Sequence, residues 1–521
     1  MFVPLSPLEF RDRAEFLFAK KIGVIDGDKQ FTYAQFGERT HRLANALRDL
    51  GLRPGDRVSF ITANTHQLLE AYFGVLEAGC ILNPINIRLS APDIAYILNH
   101  SGSRALFYHA DFTSLVRDLR DQLDTQFFIA MEGDHDEYET LLANARADYR
   151  APTIDENAIA ELFYTSGTTG KPKGAAITHR ALYLHAFNVA LGMRFSDEDI
   201  VLHIVPLFHV NGWGTPQFVT MVGGTHVMLR KVDSALILDA IQRHRITRLF
   251  GVPTVFNLLL AHPGFDQYDL SSLRVINLGG APSSPTLVRA IQDRFKCTCF
   301  VGYGLTETTP ILTSAWRKHH LAGESREQKI MRESKTGYSL PGIRLRVVTP
   351  EGKDVARNGA DIGEVVVQSN TVMDGYYRDP DATAHALRDG WFHTGDMAVM
   401  DDEGYVLIVD RSKDIIISGG ENISSVEIEN CLYAHPKIFE CAVVAVPDEK
   451  WGEVAKAIVV LKPGEIATAE EIIAHCRVHL AHYKAPKTIE FRDALPKGGT
   501  GKILKANLRQ EFWRGRDKRV N

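Results

Sequence analysis

The stretch Tyr164-Thr-Ser-Gly-Thr-Thr-Gly-Lys-Pro-Lys-Gly174 follows the apolar run Ile159 to Tyr164 and packs three glycines, four small hydroxyl residues and two lysines into one turn. Such a turn can wrap backbone N–H groups and hydroxyl donors around a polyphosphate. The Walker A spacing G-x-x-x-x-G-K-[ST] is absent, so this is a different phosphate loop. A merely flexible loop would explain the glycines but not the lysines and hydroxyls beside them.

Outward from that turn, between Thr32 and about Tyr303, helical patterns alternate with short apolar runs. Helix Ala34 to Leu50 leads to Arg57 to Thr62 and then to helix His66 to Ala78. Later come Ile200 to Val205, His226 to Leu229, Arg248 to Val252 and Arg274 to Leu278, with helix Pro285 to Phe295. This alternation predicts βαβ units and largely parallel sheets. After about Thr336 the pattern changes to Arg344 to Val348, Glu364 to Gln368 and Tyr405 to Val409, which predicts a small antiparallel β subdomain. Beyond Arg411 the chain starts again with Ile415 to Ile417, helix Val426 to Ala434, strands Cys441 to Val446 and Lys456 to Leu461, and helix Ala469 to Leu480. About 110 residues suffice for a separate α+β domain. The charged junction Asp410 to Lys413 reads as a short hinge without core contacts.

Composition narrows the function. The chain has 521 residues, 45% hydrophobic and 24% charged, with a net charge of −5. This is an ordinary globular mixture with no whole-chain attraction to nucleic acid or anionic lipid. Six cysteines without framework spacing point to a reducing, cytoplasmic compartment. No stretch approaches about 18 uninterrupted apolar residues, and Met1 to Phe10 lacks the pattern of a signal peptide, so no transmembrane segment is expected.

The phosphate loop resembles that of the adenylate-forming superfamily, which includes acyl-CoA synthetases, firefly luciferases and nonribosomal-peptide adenylation domains. The family's other motifs follow in order from Pro206 to Lys502. The resemblance implies an α/β fold: a large N-terminal domain of two βα sheets plus a small antiparallel β subdomain over residues 1–410, and a mobile α+β C-terminal domain over 411–521. It places Thr165, Ser166, Gly167, Thr168, Thr169 and Lys173 on the ATP phosphates. Gly279-Gly280-Ala281-Pro282 would line the adenine and Tyr303 would stack on it. In Tyr303-Gly304-Leu305-Thr306-Glu307, Thr306 would bond the α-phosphate and Glu307 would hold Mg²⁺, a role that suits a hard oxygen anion.

The same resemblance makes Asp396 of Trp391-Phe-His-Thr-Gly-Asp396 the acceptor for both ribose hydroxyls, because a carboxylate can accept twice. It puts Arg411 near ribose and phosphate and makes Lys413 the hinge pivot. Lys502, in Pro496-Lys-Gly-Gly-Thr-Gly-Lys502, would place an ammonium between a carboxylate and an α-phosphate, two anions that repel as they close. Pro206-Leu-Phe-His-Val-Asn-Gly-Trp213 is similar to the acyl-pocket segment of fatty-acyl-CoA synthetases, with His209 near the substrate carboxylate and Trp213 as gate or core residue. Gly214 would leave room for a long acyl chain.

Gly419 and Gly420 resemble the loop lining the pantetheine tunnel. Trp451 falls where some aryl-CoA ligases stack the CoA adenine, and Lys484 and Lys487 could meet the CoA phosphates. Ala485 departs from that pattern, standing where one ligase group has arginine. His475, His479 and His482 read as surface histidines on one helix face, and Cys297 and Cys299 as buried thiols.

Together these features imply an acyl-CoA synthetase that uses ATP, Mg²⁺ and coenzyme A on a small carboxylic acid, with a medium- or long-chain fatty acid expected. A short-chain, thioether-bearing or aromatic acid is the alternative, and a homodimer is compatible. From other classes, a non-catalytic ATP-binding sensor is disfavoured by Glu307 and Lys502, and a luciferase-type oxygenase would lack CoA-dependent AMP release.

Overall fold

The computed structural model describes residues 1–149, 152–165, 171–411, 414–419, 421–497 and 503–513. Among them, two large sheets carry the N-terminal part. In the first, Thr298–Gly304, Val275–Leu278, Arg248–Gly251, Ile200–His203, Thr225–Met228 and Ile22–Asp26 run parallel, and antiparallel strands close both edges. In the second, Ile159–Thr165, Ile81–Pro84, Arg57–Ile61, Ser103–His109 and Phe127–Met131 are parallel. Inner strands such as Arg248–Gly251 are buried at every position, as a sheet covered by helices on both faces requires.

Local sequence explains the entry to the helices. Thr32 accepts from the Gln35 N–H, and Gln35 reaches back to the Thr32 N–H, a reciprocal cap on helix Tyr33–Asp49. That helix packs on His66–Glu77, and both are tied to helix Leu8–Leu17 through Arg11. The fully buried Arg11 guanidinium meets Glu77 at 2.6 Å and Thr40 at 2.7 Å, and His41 Nδ1 lies 2.9 Å from Glu77. Breaking such a buried pair from one side costs about 3–5 kcal/mol, because the remaining charge stays in the core.

The described ends of the phosphate-loop stretch belong to the antiparallel pair Ile159–Thr165 and Lys173–Thr178 at one side of the second sheet. Its far edge receives the short strand Gly375–Tyr376. Helix His179–Gly192 packs on this strand pair and on strand Ile311–Ser314 of the first sheet, so one helix sets the spacing between the two sheets.

Arg344–Val348, Gly363–Gln368, Trp391–Met400 and Val406–Arg411 form the antiparallel subdomain. The C-terminal unit pairs Ile438–Asp448 with Gly452–Leu461 over ten residue pairs, flanked by helices Ser425–Tyr433 and Ala469–His479.

One expectation fails at the junction. Asp410 is buried, and its carboxylate accepts from the Ser425 N–H at 2.8 Å and the Ser425 hydroxyl at 2.6 Å. Strand Val406–Arg411 ends against the N-terminus of helix Ser425–Tyr433, where a carboxylate is favoured by unsatisfied N–H groups and the helix dipole. Charge at Asp410 therefore marks a helix-capping contact, while Ser412 and Lys413 lie outside the described residues.

Candidate active site

Three elements bring the nucleotide-motif residues together. Tyr303 and Gly304 end strand Thr298–Gly304, Asp396 lies within Trp391–Met400, and Arg411 closes Val406–Arg411 directly opposite Asp396. The Tyr303 hydroxyl donates to Asp396 Oδ2 at 2.7 Å, and Arg411 Nε lies 3.0 Å from Asp396 Oδ1. Asp396 is 4% exposed, so its two oxygens are already arranged as a double acceptor in a dry setting. Burial, then the neighbouring Asp396, push the Tyr303 phenol up and keep it a neutral donor. The charge of Asp396 raises the Arg411 guanidinium against the opposing effect of burial. Gly304 has a local reason: a Cβ there would overlap the Pro310 carbonyl.

Glu307 sits in the turn Thr306–Thr308 after that strand. Its Oε1 accepts from the Tyr376 hydroxyl at 2.9 Å, and its carbonyl accepts from the Met373 N–H at 2.8 Å. Lys173 Nζ lies 5.3 Å from the centre of the Tyr376 ring and 3.4 Å from Asp379. Lys173, Tyr376 and Glu307 thus form one rim, with Thr165 beside it donating to the Lys173 carbonyl at 3.5 Å. Tyr376 and Asp379 were missed in the sequence. Their signal was the run Gly375-Tyr-Tyr-Arg-Asp-Pro380, aromatic and charged at the end of an apolar stretch.

The acid-segment residues follow strand Ile200–His203. Val210, Asn211, Gly212, Trp213 and Gly214 all have positive φ, from 36° to 88°, so the backbone here is a left-handed run. Such a run is costly for L-residues and persists only when its surroundings hold it. It follows the half-buried His209, whose carbonyl accepts from the Gly212 N–H at 3.2 Å.

The Trp213 ring lies against the adenine-motif loop: a Cβ on Gly279 would be 3.1 Å from it and one on Gly280 3.4 Å. Trp213 therefore touches the glycines before Ala281 as well as the acid segment. Gly214 packs against a histidine. Its missing side chain makes room for His185, whose ring a Cβ would meet at 2.5 Å. Ile311 N–H donates to His185 Nε2 at 3.1 Å, which fixes that imidazole between the sheets.

On the C-terminal unit, Trp451 is 41% exposed and its ring covers Gly419, where a Cβ would be 2.6 Å away. Gly419 takes φ +59° and its N–H donates to the Trp451 carbonyl at 2.9 Å. Lys450 and Lys487 stand 4.8 and 5.8 Å from the ring, so an aromatic face and two cations share one patch. Lys484 is instead held at 2.8 Å by both oxygens of Glu427.

Helix Ala469–His479 stops before His482, and the third group near His475 and His479 is Cys431. Backbone carbonyls already take one nitrogen of each imidazole, at 3.0 and 2.8 Å. Cys299 is buried, but Cys297 is only partly so. The expected phosphate contacts Ser166, Gly167, Thr168 and Thr169, the pivot Lys413, the tunnel glycine Gly420 and the lysine Lys502 lie outside the described residues.

The family model described as "AMP-binding enzyme" matches residues 10–377, and that described as "AMP-binding enzyme C-terminal domain" matches 427–502. The chain is 40% identical to a long-chain-fatty-acid–CoA ligase of Thermus thermophilus, covering 98% of this chain and 96% of the relative. It is 38% identical to 2-methylpropanoate–CoA ligase CCL4 of Humulus lupulus, covering 97% and 95%. Among solved structures it is similar to the anthranilate CoA ligase AuaEII in complex with anthranoyl-AMP, with TM-score 0.91, 28% identity and 98% of both chains covered.

Proposed function

The chain belongs to the AMP-binding enzyme family and is an acyl-CoA ligase working through an acyl-adenylate, with ATP and CoA as co-substrates; from that premise we propose that its acid is a medium- or long-chain fatty acid. The observation that carries this reading is the similarity to the Thermus long-chain-fatty-acid ligase along nearly the whole chain. A second reading, a short-chain, thioether-bearing or aromatic acid, is favoured by His185, whose ring packs directly against Gly214 in the acid segment. The hop and anthranilate relatives support that alternative.

In the proposed reaction, Tyr303 stacks on the adenine and Asp396 turns from its bonds with Tyr303 and Arg411 to the ribose hydroxyls. Thr165, Ser166, Gly167, Thr168, Thr169 and Lys173 hold the phosphates, and Thr306 bonds the α-phosphate. A carboxylate steadied by Tyr376 is the right donor for a hard divalent cation, so Glu307 would hold Mg²⁺, which when bound neutralises phosphate charge. His209 orients the acid, and the Lys502 ammonium lies between the attacking carboxylate oxygen and the α-phosphorus as the acyl–phosphate bond forms and pyrophosphate leaves. The thiol of CoA then displaces AMP, with Gly419, Gly420, Trp451 and Lys487 binding the cofactor arm and Lys413 the pivot between the two steps.

Residues 1–410 would thus form the acyl- and ATP-binding unit and 411–521 the unit bearing the lysine. Among the described residues no helix is long and apolar enough to cross a membrane, and the six cysteines are free, which fits a reducing compartment. CoA-dependent AMP release across C2 to C18, aryl and thioether acids tests the reading. A kcat/KM maximum at C8 or longer is expected, and a maximum at short or aromatic acids would give the second reading preference.

A further inference from the structure

Glu161 stands in the middle of strand Ile159–Thr165, four residues before the phosphate-loop hydroxyl Thr165, and is fully buried. It makes no ion pair among the described residues. Two buried amides turn toward it: Asn211 Nδ2 donates to one oxygen at 3.0 Å and Gln217 Nε2 to the other at 2.8 Å. Asn211 is the second residue of the left-handed run, and Gln217 lies one turn beyond its end.

The segment before the run is clamped by the same half of the molecule. Tyr72 donates to the Leu207 carbonyl at 2.6 Å, and Asn64 accepts from the Leu207 N–H at 2.7 Å while donating to the carbonyls of His203 and Val205. Those bonds hold the approach to the run. Glu161 alone among these groups reaches into it.

From this geometry we infer that Glu161 is a positioning residue for the acid site, fixing the left-handed Val210–Gly214 run, with His209 before it and Trp213 within it, to the strand that leads into the phosphate loop. The inference rests on the reading of His209 and Trp213 as acid-site residues. A run of five positive φ values needs an external anchor, and Asn211 is the residue through which this one is anchored.

Hydrogen-bond balance also bears on the charge state of the anchor. Asn211 Oδ1 and Gln217 Oε1 have no partner while both amide nitrogens point at the carboxyl. Both amides donate to the carboxyl as placed; turning one of them by 180° would present its oxygen to a carboxylic O–H and let a neutral acid donate to that amide while accepting from the other. Burial without a cation agrees, pushing the Glu161 carboxyl up to about 8. In that arrangement Glu161 is a neutral acid, which glutamine can imitate bond for bond.

The experiment compares Glu161→Gln, Glu161→Leu and Asn211→Gly by steady-state adenylation, with KM for the acid and for ATP measured separately and melting temperature recorded. Glycine suits the φ of +44° at position 211, so Asn211→Gly removes the amide without backbone strain and remains informative should Glu161→Leu fail to fold. The expected result is an acid KM raised tenfold or more in Glu161→Leu and Asn211→Gly, an ATP KM within about threefold, and most of the acid affinity restored in Glu161→Gln.

Loss of melting temperature with the acid KM unchanged in the folded variants would make Glu161 purely structural and overturn the inference. Glu161→Gln as impaired as Glu161→Leu would overturn the neutral-acid assignment. A Trp213→Phe control separates the premise: if it leaves the acid profile untouched, the acid-site reading fails whatever Glu161 does.

Discussion

Replacing Trp213 tests the largest claim about the acid pocket. The side chain is 8% exposed, packed on Gly279 and Gly280 and set edge-on to Phe250 with centroids 6.4 Å apart. Truncating a buried Trp to Ala costs roughly 3–5 kcal/mol when the cavity cannot collapse. Trp213 also has φ +66°, a conformation costing L-residues about 1–2 kcal/mol. Trp213→Gly should therefore be about 1 kcal/mol more stable than Trp213→Ala, against the usual order of these residues.

If the ring bounds the acid pocket, the vacated space accepts extra methylenes, each contributing about 0.8 kcal/mol or roughly fourfold in kcat/KM. Two more methylenes would shift preference by about 15-fold toward longer acids. Because the ring also supports the Gly279–Gly280 loop, KM for ATP should rise too, by less than about tenfold. The assay is kcat/KM for AMP release over a homologous acid series, with melting temperatures for wild type, Ala and Gly variants. Parallel chain-length profiles with only a lower melting point would refute the gate. Equal stability of the Ala and Gly variants would refute the left-handed conformation at 213.

Asp396→Asn keeps an acceptor for Tyr303 but loses the charge opposite Arg411; KM for ATP should rise by roughly tenfold, about 1.4 kcal/mol, with little change in melting temperature because Arg411 is 40% exposed, and an unchanged ATP KM would remove Asp396 from the ribose site. Lys502→Ala should nearly abolish adenylate formation while transfer from a supplied acyl-adenylate to CoA persists, since the ammonium is needed only when two anions approach, and equal loss of both half-reactions would count against that role. Acid should unfold the protein through histidines held neutral in the core: burial lowers His185 and His203 to about 3 and His179 to about 4. The unfolded chain binds those protons below about pH 6.5 and the folded chain does not, so stability is full above that pH and falls by about 1.4 kcal/mol per pH unit for each histidine until its folded pKa is reached. Urea titrations from pH 7 to 5 read that slope directly, and His185→Asn should lower it by about one proton.

The reaction class was legible in residues 164–174 and in the order of the motifs after it, because phosphate binding needs glycines, hydroxyls and cations side by side in the chain. The parallel sheets were legible for a similar reason: a strand buried on both faces is apolar at nearly every position, and a helix repeats its apolar stripe every three to four residues. Charge at Asp410 misled, because a carboxylate that caps a helix 15 residues away looks, in sequence, like one that faces water. His482 misled in the same way, since helix periodicity continues on paper past the residue where the helix ends.

The sequence alone determined which chemical groups this protein has and which of them lie on the same strand or turn. Only the tertiary structure decided the partnerships: Tyr303 with Asp396, 93 residues apart, Glu307 with Tyr376, Trp213 with Gly279 and Gly280, Trp451 with Gly419, and Glu161 with Asn211 and Gln217. Local patterns are set by neighbours along the chain, whereas these contacts arise from sheet register, from the spacing that one helix imposes between two sheets, and from a left-handed backbone run that Asn211, Gly212 and Gly214 tolerate but in which Val210 and Trp213 are held only by the surrounding packing.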